Sequence, residues 1–151
     1  MSLTTRACLV AEGAAPDRRG FFTLVAVEPQ VWEVPAFPFN VAPLLYIVVD
    51  DDEEPPVLAP GQNMDFTCRA TGPAEQTLFF AQQSAPVQPK SVQDLPYRVQ
   101  IALQVPITVS EEGTYLLSAT MAIEGVELNW ERNIFVRVST PGAAAQQPPL
   151  T

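Results

Sequence analysis

Residues 113–138 read GTYLLSATMAIEGVELNWERNIFVRV, and the spacing within this stretch decides the fold class. Let Glu124-Gly125 be a two-residue turn, with the glycine supplying the positive φ such turns need. Ile123 then faces Val126, Met121 faces Leu128, Ala119 faces Trp130 and Tyr115 faces Ile134. The other face sets Ala122 against Glu127, Thr120 against Asn129 and Ser118 against Glu131. One face is apolar and the other mostly polar, as a half-buried antiparallel hairpin requires. Arg132 opposite Leu117 is the exception. A bulge between Asn129 and Asn133 is expected to re-aim it, and the strand then runs on through Val136 and Val138.

The same period of two recurs upstream. Met64, Phe66, Cys68 and Ala70 alternate with Asp65, Thr67 and Arg69, and Val99, Ile101, Leu103 and Val105 alternate with Arg98, Gln100, Ala102 and Gln104. Each set lies on one face of a strand with a buried and a wet side. Phe21–Glu28 and Leu44–Asp50 are apolar at successive positions, which suggests central or doubly covered strands. Thr77–Gln82 is a further short strand, and Arg6–Ala11 is expected to open the sheet. Helix signals are nearly absent, and 16 prolines are scattered between the apolar runs. The fold class is therefore all-β, a two-sheet antiparallel sandwich with little or no helix. Residues 1–140 form one domain, the polar stretch Ser84–Tyr97 crosses between sheets, and residues 141–151 (PGAAAQQPPLT) form a Pro/Ala/Gln-rich tail.

Two resemblances bear on this class. The run Glu111-Glu112-Gly113-Thr114-Tyr115 resembles the turn before the penultimate strand of immunoglobulin-like domains. The resemblance implies an immunoglobulin-like sandwich in which the Tyr115 hydroxyl bonds back to the corner backbone. Leu117 stands where antibody domains carry their second cysteine, so the likeness is to the broad class. Over roughly residues 5–138 the chain is also similar to a family of small bacterial proteins of unknown function. The matching segments are RACLVAEGA, GFFTLVAV, VPAFPFNVAP and VPITVSEEGTYLLSATMAIEGV. That resemblance brings no catalytic residues.

Composition excludes several functions. The chain of 151 residues carries a net charge of −9, with 8 basic against 17 acidic side chains. Its basic residues are scattered apart from Arg18-Arg19, so neither nucleic acid nor an anionic membrane is an expected partner. Histidine is absent, which removes the commonest general base and every Ser-His or Cys-His arrangement. Lys90 beside Ser91 is read as a solvated lysine in a loop. The carboxylates Asp65, Glu127 and Glu131 lie on wet strand faces, a poor setting for the cleft a hydrolase needs. Cys8 and Cys68 are read as reduced thiols, because the apolar run Ala7–Ala11 is too short for a signal-peptide core and a cytoplasmic or intracellular-particle location is expected.

Two segments stand out. Asp50-Asp51-Asp52-Glu53-Glu54 offers a weak calcium candidate in Asp50, Asp52 and Glu54, but it lacks the glycine-spaced pattern of a calcium loop. An exposed solubilising loop is the preferred reading, and no metal or cofactor is expected. Val31–Phe39 (VWEVPAFPF) sets Trp32, Phe37 and Phe39 on a proline-stiffened segment. With Pro141 these are the candidate interface residues. The expected function is a non-enzymatic protein–protein interaction or structural module, self-associating or bound to a protein partner. One version is a subunit or decoration protein of a larger assembly such as a phage particle. The alternatives are a small-molecule binder, with a cavity between the sheets lined by Phe22, Leu45, Phe66 and Tyr115, and a carboxylate-dependent hydrolase.

Overall fold

A computed structural model describes residues 3–16, 22–53, 55–90 and 92–139. The strands are β1 (Thr4–Pro16), β2 (Phe22–Val27), β3 (Val31–Val34), β4 (Phe39–Val41), β5 (Leu44–Asp51), β6 (Asn63–Thr71), β7 (Thr77–Pro86), β8 (Tyr97–Gln104), β9 (Ile107–Val109), β10 (Gly113–Ile123) and β11 (Val126–Val138). Among the described residues there is no helix. The strands form a four-stranded sheet in the order β2-β1-β5-β8, a five-stranded sheet in the order β3-β11-β10-β6-β7, and a short β4-β9 ladder. Every pairing is antiparallel except β3 beside β11, which is parallel and departs from the purely antiparallel expectation.

The β10–β11 hairpin has the register expected from its turn, from Ile123 opposite Val126 to Gly113 opposite Val136. Glu124 and Gly125 both take positive φ, 37° and 83°, the signature of a turn whose twist matches that of the strands. The expected bulge is absent, and Arg132 stays opposite Leu117 on the core-facing side. It need not be re-aimed because its head group finds partners at the margin of the sandwich. Its Nε and Nη2 donate to the Cys8 carbonyl at 3.0 and 2.7 Å, and Nε lies 3.3 Å from Glu28 Oε1. The aliphatic stem can then lie along the core edge while the charge reaches a polar rim.

The alternation in β6 translates directly into burial, with Met64, Phe66, Cys68 and Ala70 all buried. In β8, Ile101 is buried, while Val99 and Leu103 are half-buried against the same core. Tyr115, Leu117, Met121, Ile134 and Val136 from one sheet meet Val10, Leu45, Ile47 and Val49 from the other in one hydrophobic cluster. The sheets thus pack face to face in a sandwich-like arrangement. Central β5 buries both faces: Val48, on the outer face, sits between Ala7 and Gln100 and is only 8% exposed. β2, expected to be a central or doubly covered strand, is an edge strand beside β1. The Tyr115 hydroxyl donates to the Glu111 carbonyl at 2.7 Å and accepts from the Glu111 amide at 3.4 Å, tying down the turn before β10.

One lateral side of the sandwich is closed and the other is open. β2 pairs with β1 only from Ala11 onward, so among the described residues no strand lies beside the earlier part of β1 on that side. β11 covers it with Arg132 and with Trp130, whose Nε1 donates to Thr5 Oγ1 at 2.9 Å. On the opposite side β7 and β8 are both terminal strands of their sheets.

Candidate functional site

Of the weak calcium candidates, Asp50 and Asp52 are paired with arginines, and Glu54 lies outside the described residues. Asp50 is not in an exposed loop. It is the buried end of β5, 3% exposed. Arg98 donates Nε to its Oδ1 at 2.6 Å and Nη2 to its Oδ2 at 2.8 Å, and Arg6 donates Nε to Oδ2 at 3.0 Å. These bonds, Arg98's foremost, outweigh the desolvation that burial imposes and hold the carboxyl below its ordinary value of 3.8. Asp52 takes the second arm of Arg6 at 2.7 Å. Asp51 is buried too, and its oxygens accept from the Leu58 amide at 2.7 Å and the Glu53 amide at 3.1 Å. This folds the following loop back and lodges Leu58 in the core. The acidic run is therefore an anchoring device: Asp50 and Asp52 pair with Arg98 and Arg6, and Asp51 accepts from backbone amides. Among the described residues, no three His, Cys, Asp or Glu side chains are grouped to hold a metal ion.

The aromatic segment divides. Trp32 is buried, and its partner strand β11 holds it beside the core. Phe37 is half-buried against that core. Only Phe39, 39% exposed, presents a ring to solvent. Pro141 lies outside the described residues, as do Ser91 and the side chain of Phe22. Leu45 and Tyr115 are fully packed rather than lining a cavity, which leaves Phe66 as the one described member of that set bordering a space. Asp65 and Glu127 share an open depression of about 220 Å³ at the tip of the hairpin, and Glu131 is not part of it. Cys8 and Cys68 are both free thiols, and burial pushes both up from their ordinary value.

The feature that sequence reading missed is the open side. Two cavities lie end to end between β7 and β8. One, of about 300 Å³, is bordered by Phe66, Cys68, Phe79, Ala81 and Leu103. The next, of about 420 Å³, is bordered by Met64, Pro86, Val92, Leu95, Tyr97 and Val99. Together they follow β8 from Tyr97 to Gln104, about 26 Å of extended chain. Val92 and Leu95, which border the second cavity, are 51% and 58% exposed, so the groove has uncovered apolar groups at one end, while Phe80, 51% exposed, lies on the outward face of β7 with the Arg69 guanidinium 5.3 Å from its ring centroid. Lys90 Nζ sits 4.8 Å from the Tyr97 ring centroid and pins the loop at one end.

No protein-family model matches the chain, and no curated protein matches it. The function must accordingly be argued from the site.

β7 is the longest terminal strand of the two larger sheets, and shares its lack of charge with the six-residue β2. It is ten residues long, TLFFAQQSAP, with no charged side chain. β3 is four residues long and carries Glu33, paired to Arg137 at 2.8 Å. β8 carries Arg98, which is committed to Asp50. Edges are usually guarded by charge, bulges or brevity; β7 has no charge, but its register slips at Leu78, opposite the Ala70–Thr71 step, and Pro86 closes its end. Its cross-strand partners give its orientation: Phe79, Ala81 and Gln83 lie opposite buried Ala70, Cys68 and Phe66, whereas Phe80, Gln82 and Ser84 lie opposite Arg69, Thr67 and Asp65. The uncharged composition was visible in the sequence, but its place at an edge was not. Among the described residues no helix is long and apolar enough to cross a membrane.

Proposed function

We propose that the chain is a non-enzymatic structural or interaction module that works by protein–protein contact through its open side. The observation that carries this reading is the pair of edges, β7 and β8, left without a further strand among the described residues and flanking an apolar groove with exposed Val92 and Leu95. Backbone groups at such edges can bond a partner strand while the groove takes alternate side chains.

We read the sandwich as immunoglobulin-like. The sheet order β11-β10-β6-β7 is that of strands G, F, C and C′, and β1-β5-β8 is that of A, B and E. The bonds between Tyr115 and Glu111 support the same reading, while β2 is an addition to that scheme. A subunit or decoration protein of a larger assembly, such as a phage particle, is the setting this reading favours, in keeping with the resemblance to small bacterial proteins. Affinity capture of the tagged chain from cells of its source tests it. A specific protein should be retained by the native chain and lost when Leu95→Asp and Val92→Asp are introduced together. Failure to retain any specific protein, with the chain itself not self-associating, overturns the reading.

A second reading has one observation in its favour: cavities of about 300 and 420 Å³ are at the small end of ligand pockets. A small apolar ligand there would raise the melting temperature without any protein partner.

A further inference from the structure

We propose that the groove takes an extended segment of a partner protein, paired antiparallel along β8, with apolar side chains at alternate positions and a basic flank at its C-terminal end. The proposal rests on the protein-contact reading above and names the partner's chemistry.

Three observations select such an occupant. First, the cavities lie along the hydrogen-bonding edge of β8. Residues 97–100 border one and residues 102–104 the other, so both faces of the strand take part. The smaller cavity meets β7 only through the inward side chains of Phe79, Ala81 and Gln83. A space that touches both faces of a strand runs beside its backbone, where a second backbone can bond. Every pairing in the sheet of β8 is antiparallel, which sets the direction. Second, a strand in that place turns every second side chain inward, onto Met64, Phe66 and Phe79. Those positions call for apolar groups. Third, the two ends of the groove differ in charge. At its Tyr97 end the groove shares Lys90, Leu95 and Pro96 with an open depression of about 480 Å³, which Asp51, Asp52, Glu53 and Asp94 also border. Asp94 is exposed and has no ion pair among the described residues. Lys90 is held over the Tyr97 ring. A strand antiparallel to β8 ends here, so its C-terminal flank meets the carboxylates. The net charge of −9 attracts a basic segment and repels a second copy.

Titration of the full chain with a synthetic peptide, four threonine–valine repeats closed by two lysines, tests the proposal. Two controls carry two glutamates in place of the lysines, or the two lysines at the N-terminal end. The first peptide should bind about threefold to tenfold more tightly than either control, the range for exposed charge pairs. On binding, hydrogen exchange should slow at the groove-facing amides of β8 and stay unchanged in β7. Asp94→Lys should abolish the preference for lysine over glutamate, and unchanged exchange in the β10–β11 hairpin shows that this variant folds. No binding up to about 1 mM overturns the proposal, as do equal affinities for the three peptides or protection in β7 in place of β8. A native chain that doubles its mass of 16.4 kDa with its β8 amides already protected makes a second copy the occupant and overturns it too. A specific cellular protein retained through Val92 and Leu95, with no peptide bound, overturns strand pairing and leaves the protein-contact reading standing.

Discussion

Arg132 on β11 donates two hydrogen bonds to the carbonyl of Cys8 on β1, across the margin where the two sheets meet. That carbonyl belongs to the part of β1 beside which, among the described residues, β5 is the one paired strand. Arg132 therefore supplies bonds a strand would otherwise make, and its charge is balanced by Glu28. Arg132→Ala should destabilise the fold by roughly 1–2 kcal/mol, within the range for hydrogen bonds to charged groups and reduced by its partial exposure. Arg132→Lys should recover only part of this, since one ammonium cannot reproduce the forked geometry. Urea midpoints with unchanged m-values would report it.

The Asp50 cluster makes stability depend on acid in a definite direction. Its folded carboxyl titrates below the ordinary value because of Arg98 and Arg6. The stabilisation is fully present above that ordinary value and is lost as pH falls through the lower, folded value. Between neutral pH and about pH 3, the stability gap between native chain and Asp50→Asn should therefore narrow. At neutral pH, Asp50→Asn should cost about 1.5–3 kcal/mol. A gap that stays constant with pH would remove the ion pairs from the account.

The hairpin turn offers a gain as well as a loss. Glu124 is a side-chain-bearing residue held at φ 37°, and Gly125 sits at φ 83°. Glu124→Asn should stabilise by about 0.5–1 kcal/mol, because asparagine tolerates this region better. A Cβ at Gly125 meets nothing within 4 Å, so Gly125→Ala tests backbone strain free of any clash. It should cost about 1–2 kcal/mol. Thermal unfolding of both single variants would show opposite shifts.

The two thiols should be unreactive for a shared reason. Burial raises both above their ordinary value, and for Cys8 the nearby Arg132 offsets this only in part. Near neutral pH a chromogenic disulfide reagent should label neither in the native chain at the rate of a free thiol, and both should label rapidly in denaturant. Rapid native labelling of Cys68 would contradict its packed position in β6.

The sequence by itself determined the features that depend on near neighbours. Period-two alternation in β6 and β8, and the turn at Glu124-Gly125, specify strand faces and one full hairpin register, because side chains alternate and a two-residue turn leaves a single pairing. Tyr115's bond back to the corner backbone was an expectation of the immunoglobulin-like resemblance, and its partner is Glu111, four residues away. Tertiary structure alone decided the rest. The parallel β3–β11 pair, the edge position of β2, and Arg132 meeting Cys8 all join segments far apart in the chain, and composition does not order such strands. The acidic run shows the same limit: five consecutive carboxylates look like a solvated loop until Arg6 and Arg98 converge on Asp50 from neighbouring strands. The open side is the clearest case. β7's lack of charge is a property of its sequence, but it becomes a surface with unmade hydrogen bonds only because β7 and β8 end their sheets on the same side.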